Sequence, residues 1–562
     1  MEAQVRLKTS IPSSGRQGPW LLAAVLAAGL VLRLWGARWG FPLLFNGDEP
    51  HFVDTAVSFG AGSLNPHEFK YPTLWMYALS VAYGFYYLAW SLFGLRRGVL
   101  QFGGLFVWQA WRFHLLGRLL SAAFSVAGLW VVARIDKDGR ESAPLFPWAA
   151  ALLAVSPALV SSAHEAKPDS LMFLLSGLAW LFSLRTLRDG RRGDTALGGL
   201  CAGLAFSSQY TALPALLLIP LASALRVGAG REAPGRALEL ACAGVAASGV
   251  GFFLGCPFAF LDFPAFRSSL AEHAAYHAEA SAAWDAWKNP FLFAGPWSLA
   301  ALALPAGVAR LWSRDRRRLA LLAVPILLWT AFLSRQHDGQ NIRYLYACFP
   351  ALALLAAEGL DAARAPGPLA AAAALALMPG LWSSCAADRV MTLPDTRLAA
   401  TAWIEANVPQ GATILLDQAD VSPAARMTRE QAEELRSRNA AAGSLRARYY
   451  ALLRDSHPGG GWRVYHLKRS ALDLNTNPAL VERAQREGDY VDASAGLSAA
   501  RDAGVWFVVT SSDGARPERA PELARFFAEL ARDGETVARF EPDGKSSVGP
   551  ALRIYRISHG GT

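Results

Sequence analysis

The chain has 562 residues, 53% of them hydrophobic and only 18% charged, with a mean hydropathy of +0.22. That balance excludes an ordinary soluble protein of this size and fits a polytopic membrane protein with a soluble appendage. The net charge of +9, from 54 basic and 45 acidic residues, lies largely in short loops between apolar runs; there it sets topology and does not call for nucleic acid.

A spanning helix needs ~20 apolar residues. In chain order the candidates are Pro19–Trp35, Phe113–Ala133, Pro144–Val160, Leu171–Leu184, Ala196–Ser208, Thr211–Leu225, Ala237–Cys256, Phe291–Leu311, Leu319–Leu333, Tyr344–Leu360 and Leu369–Ser384. The first lacks a small-residue cleavage site and reads as a retained signal-anchor. The five cysteines lie in or beside these runs with no CxxC pair, the pattern of packing residues.

Tyr71–Leu95 is apolar too, but charge argues against its crossing. If it lies on the outer surface, the basic groups around Arg134, Arg185, Arg226 and Arg314 all fall inside. If it crosses, most of them fall outside. The positive-inside rule therefore predicts a surface-lying segment rich in Trp and Tyr, about eleven spans, the N-terminus inside and the C-terminus outside.

This topology places four loops on the outer face, the last of them just before Arg343. Ala37–Arg112 carries Asp48 and Glu49, Ser161–Ser170 reads SSAHEAKPDS, and Pro257–Pro290 carries His273 and His277. The acidic and histidine-bearing loops share one face and the arginine-rich loops share the other. After Asp388 the character changes. Asp395–Asn407 reads as an amphipathic helix. Gly411–Leu416, Trp462–Leu467, Val505–Thr510, Glu535–Phe540 and Ala551–Ile557 read as strands, with a helix over Pro521–Arg532 and a charged helix or loop over Arg426–Arg448. The division is thus a membrane domain over 1–387 and a soluble α/β domain over 388–562, a normal domain size.

The chemistry centres on Phe45-Asn46-Gly47-Asp48-Glu49-Pro50-His51. Adjacent carboxylates at the mouth of a membrane segment are costly unless they face water, metal or substrate. They suit a general base or hard metal ligands. Neighbours on an extended turn point apart, so one of the two does the central work, and Asp48 is favoured. His164, Glu165 and Asp169 form a second acidic centre, although Asp169 could equally cap a helix beginning at Ser170. Lys70, Lys167, Arg118 and Arg343 are cations at membrane-boundary positions; they suit a lipid-linked phosphate, or else snorkel to headgroups. His273 and His277 stand four apart, a spacing that can bind zinc, but no third ligand is in view. A divalent metal is possible, and the residues make no cofactor certain.

Several motifs carry a resemblance. Gly47-Asp48-Glu49-Pro50-His51, Leu64-Asn65-Pro66, Lys70-Tyr71-Pro72-Thr73-Leu74, Arg118-Leu119-Leu120-Ser121, Lys167-Pro168-Asp169, Tyr210-Thr211-Ala212-Leu213-Pro214 and Arg343-Tyr344 resemble those of membrane glycosyltransferases of the C superfold. The nearest group is family 39, which includes the protein O-mannosyltransferases and the lipid A aminoarabinose transferases. The resemblance covers roughly residues 18–385. It implies a polyprenyl-phosphate sugar donor, an extracytoplasmic active site, and acceptor activation by the first-loop acid, here Asp48. Gln209 stands before Tyr210 where such sequences often carry Lys, which shifts the expected donor-phosphate contact to Lys70 or Arg343 with Tyr344.

The expected activity is inverting sugar transfer from a polyprenyl-phosphate donor to a hydroxyl on a lipid, glycan or protein. The expected location is a bacterial cytoplasmic membrane, with the site and C-terminal domain outside. No nucleotide-sugar pool exists on that side, so a donor anchored in lipid fits the topology independently. A transporter or lipid flippase is the first alternative, but the spans show no inverted repeat and few mid-membrane charges. A non-enzymatic assembly scaffold is the second.

Overall fold

The computed structural model describes residues 19–94, 98–138, 146–278, 284–336, 339–361, 366–417, 422–444, 446–469, 482, 485–512 and 521–558. The chain forms two compact units. The first comprises residues up to Ala37, His51–Ala82 and Leu116–Arg389; the second joins Arg38–Pro50 and Tyr83–Leu115 to the residues from Val390 onward.

Helices dominate the first unit. Among the described residues, five helical segments are long and apolar enough to cross a membrane: Trp111–Asp138, Asp169–Asp189, Tyr210–Val227, Pro234–Gly255 and Ala370–Met391. About eleven spans were expected; most of the other apolar runs form shorter or broken helices, the 18-residue Arg316–Leu333 helix being an exception, and proline accounts for some of the breaks. The run expected over Pro144–Val160 splits into Trp148–Ala154 and Pro157–Ala163, because Pro157 has no N–H to continue the ladder. Leu74–Phe93 is one helix of 20 residues and is not among the five.

The carbonyls freed at the Pro157 break are satisfied by a buried cation. Arg33 donates to the carbonyl oxygens of Ala154 at 3.0 Å and Leu153 at 3.2 Å, and to Ser125 Oγ at 2.7 Å. Non-helical backbone at membrane depth needs such internal partners. Elsewhere small residues bring helices together. A Cβ at Gly199 or Gly203 would collide with the backbone of Gly244 or Ser248, so Arg192–Ser208 and Pro234–Gly255 pack at backbone contact.

The second unit contains a six-stranded sheet: β1 (Thr413–Leu416), β2 (Arg463–Leu467), β3 (Tyr490–Val491), β4 (Phe507–Ser511), β5 (Glu535–Phe540) and β6 (Leu552–Arg556). The order is β3-β2-β1-β4-β6-β5. The first four strands run parallel, while β6 is antiparallel to both β4 and β5. Both faces are covered, as a parallel sheet requires. Leu415, Leu467 and Val508 pack with Leu497, Phe526 and Leu530 on one face. Ile414, Leu416, Val464 and Val509 pack with Ile404 and Trp462 on the other. Five strands and the Thr396–Asn407 helix fall where the sequence pattern puts them. The two-residue β3 and the Arg446–Asp455 helix are additions.

Candidate functional site

The predicted site residues divide between the two units. In the second unit the acidic turn is fixed at both ends. Asn46 Oδ1 accepts from the Asp48 backbone N–H at 3.0 Å, a local turn typical of Asn. Glu49 begins the Glu49–Ser58 helix, with Pro50 following in its first turn. The carboxylates part as an extended turn demands. Glu49 is wholly buried, with Oε2 at 3.7 Å from Nδ1 of the equally buried His114. Asp48 is half-buried.

The same turn is clasped through Phe45. The Arg397 guanidinium lies 3.2 Å from the centre of the Phe45 ring. Arg397 is itself fixed by Asp395, through Nε at 2.9 Å and Nη2 at 2.8 Å. A cation held flat on a ring is a directional contact, and here it ties the acidic turn to the Thr396–Asn407 helix of the C-terminal residues. Trp39 meets Phe45 edge-on at 5.8 Å.

In the first unit the second acidic centre is a tight connection between two helices. Pro157–Ala163 ends at His164 and the next helix starts at Asp169. His164 Nε2 is 2.8 Å from the Trp35 carbonyl oxygen and 3.8 Å from Asp388 Oδ1. The Glu165 and Ala166 carbonyls accept from Ser121 Oγ at 2.8 Å and Trp75 Nε1 at 2.9 Å. Lys167 pairs with Glu165 at 3.2 Å, which leaves less of its charge for a donor. Asp169 is the first residue of its helix, and that helix has no side-chain cap, so the capping alternative does not hold. Asp169 is buried, and its Oδ1 has no hydrogen-bond partner among the described residues.

Arg343 lies with this centre. Burial disfavours its charge, but Asp169, Tyr344 and Tyr71 act the other way and hold its pKa above the ordinary arginine value. The guanidinium sits 5.4 Å from the Tyr344 ring centre, and Asn341 Oδ1 accepts from the Arg343 N–H at 3.2 Å. Tyr71 also packs against Phe52 and His51, with ring centres 4.9 and 5.4 Å apart. Lys70 beside it is exposed, its Nζ 6.0 Å from the Tyr71 ring centre. Tyr210 donates to the Phe69 carbonyl at 3.0 Å, and Gln209 is buried with Oε1 unpartnered among the described residues. The first unit thus brings Asp169, Arg343, Tyr344 and Tyr71 together.

Among the described residues no three His, Cys, Asp or Glu side chains converge to hold a metal. His273 and His277 fall on the Phe263–Ala278 helix, and their side chains lie outside the described residues. Sequence reasoning missed His114 and Asp388. Both lie on long helices outside any motif, and only the tertiary fold pairs them with Glu49 and His164. It also missed the Arg397–Phe45 contact; a lone Arg behind a helix-capping Asp carries no signal in sequence.

Residues 106–232 match the family model described as dolichyl-phosphate-mannose-protein mannosyltransferase. The fold is similar to that of ArnT from Cupriavidus metallidurans bound to undecaprenyl phosphate, with a TM-score of 0.53 and 16% identity over 97% of this chain and 99% of that one. The apo state of the same protein gives a TM-score of 0.51 and 14% identity over 95% and 98%. An oligosaccharyltransferase from Archaeoglobus fulgidus is also similar, at a TM-score of 0.47 and 13% identity over 94% and 73%. No curated protein matches the sequence. In its motifs, its matched segment and its fold, this chain resembles the family 39-like membrane glycosyltransferases of the C superfold.

Proposed function

We propose that this protein transfers a sugar from a polyprenyl-phosphate donor to an acceptor hydroxyl at the extracytoplasmic face of the membrane, with inversion at the anomeric carbon. The observation that carries this reading is Arg343, a half-buried and permanently charged cation set between Asp169 and Tyr344 at a helix start. It suits the phosphate of a lipid-linked donor, which lies at the interface and cannot diffuse away from the membrane. The relative crystallised with undecaprenyl phosphate supports the same donor class.

In this mechanism Arg343, with Lys70, binds the donor phosphate and stabilises it as it departs. A phosphate monoester is a good leaving group, so no strong general acid is needed. Asp48 accepts the proton of the incoming hydroxyl, which attacks opposite the phosphate. Glu49, buried against His114, holds the start of its helix and leaves the chemistry to its neighbour. Asp169 orients Arg343. The test supplies membranes with a labelled polyprenyl-phosphate sugar and follows transfer and anomeric configuration. Transfer that stops with Asp48→Asn and yields the inverted product supports the proposal. Retention of configuration, or normal turnover by a well-inserted Asp48→Asn protein, overturns it.

A further inference from the structure

Away from the acidic loops, the first unit forms a partly open cavity of about 160 Å³ where four chain segments meet. Ile135 and Asp138 come from the end of Trp111–Asp138. Leu181, Leu184, Arg185, Leu187 and Arg188 come from the end of Asp169–Asp189. Arg231 and the start of the Arg316–Leu333 helix complete the wall. Five guanidiniums face two carboxylates, an excess of three positive charges.

Both carboxylates are engaged. Asp138 Oδ2 accepts from Arg185 at 2.7 Å, and Asp315 Oδ1 accepts from the Arg318 backbone N–H at 3.0 Å. Arg188 pairs with Asp189 at 3.0 Å and Arg318 with Glu358 at 3.4 Å. Arg231 and Arg317 have no ion-pair partner among the described residues, and Arg317 Nη1 is buried with no hydrogen bond among them. The arginines are not needed to close the Asp169–Asp189 helix. Arg226 does that, donating to the carbonyls of Leu187 and Arg188 at 3.0 Å each. The positive end of the Arg316–Leu333 helix adds to the field.

We propose that this cavity binds the phosphodiester headgroup of an anionic phospholipid. The apolar wall belongs to two helices long and apolar enough to span a membrane, and the charged wall belongs to their ends. A ligand that fits both has an anionic phosphate joined to acyl chains, and basic recesses between helix ends take such headgroups. The site is separate from the proposed transfer chemistry and makes no use of its residues.

The test uses the purified full-length protein and native mass spectrometry, with palmitoyl-oleoyl phosphatidylglycerol or phosphatidylcholine as the probe. Phosphatidylglycerol is expected to be retained about tenfold better than phosphatidylcholine. The double variant Arg231→Gln, Arg317→Gln should lose that preference, a fall of about tenfold. Arg314→Gln, an exposed arginine that does not line the cavity, should keep it. Equal retention by wild type and the double variant overturns the site, as does an equal loss from Arg314→Gln. Displacement of the lipid by millimolar inorganic phosphate, with no lipid preference remaining, assigns the cavity to free phosphate and overturns the lipid assignment.

Discussion

Arg397 lies 3.2 Å from the centre of the Phe45 ring, and Phe45 precedes Asp48 by three residues. The C-terminal residues therefore do more than follow the membrane helices. They hold the loop that carries the proposed base. Arg397→Ala should lower kcat by about tenfold to a hundredfold, since small misplacements of a reacting group carry such costs, with little change in donor KM. Steady-state transfer kinetics read that split, and a thermal melt separates it from unfolding. A KM effect with normal kcat would remove Arg397 from the positioning of Asp48.

Asp48→Asn keeps shape and most hydrogen bonding but removes basicity. General-base contributions are ~10²–10⁴-fold, so kcat should fall within that range in protein that still inserts. Glu49→Gln acts differently. It disturbs a wholly buried contact with His114, and a buried group left poorly paired costs ~1–3 kcal/mol. Its main effect should be a lower melting temperature. Normal kcat in Asp48→Asn, with the same loss appearing in stable Glu49→Gln alone, would move the base to Glu49.

Arg343→Ala should raise donor KM more than it disturbs folding, because its charge is sustained by Asp169 at the proposed phosphate site. Arg343→Lys should recover part of the loss, as it keeps the charge without the fork. Unchanged donor KM in well-inserted Arg343→Ala protein would place the phosphate elsewhere.

One histidine gives the C-terminal domain a pH dependence. Burial pushes the His466 imidazole below its usual pKa, with Asp489 opposing. The fold thus favours neutral His466, whereas the unfolded chain takes up a proton near pH ~6.5. Stability from this group is complete above that pH and falls as pH drops toward the folded-state value. His466→Gln should flatten the slope of melting temperature between about pH 7.5 and about pH 5. Parallel slopes for wild type and variant would exclude His466 as the source.

Much of the C-terminal sheet was legible because period-two apolar patterning marks strands: Ile414 and Leu416 serve one face, Leu415 the other. β3 escaped because two residues carry no period. Its parallel partner β2 defines it. The membrane runs were legible as apolar, but where a helix breaks depends on whether neighbours can satisfy the freed carbonyls. Arg33 does so at Ala154, and nothing near Arg33 in sequence announces it. In the site, adjacency marked Asp48 and Glu49, and the extended-turn argument separated them. What assigned their surroundings was tertiary: His114 for Glu49 and Arg397 for Phe45. The arginine cavity was hidden because four distant segments build it, each reading alone as ordinary flanking charge.

The strand order also sets a schedule for biogenesis. β1 sits between β2 and β4, and β4 pairs onward with β6, the last strand of the sheet. β4 therefore lacks one of its two neighbours until Arg556 has been synthesised. Sheets built on such distant pairings close slowly and leave edges open meanwhile. A nascent chain halted before β6 would present β4 as an unprotected edge, open to pairing with another chain until synthesis is complete.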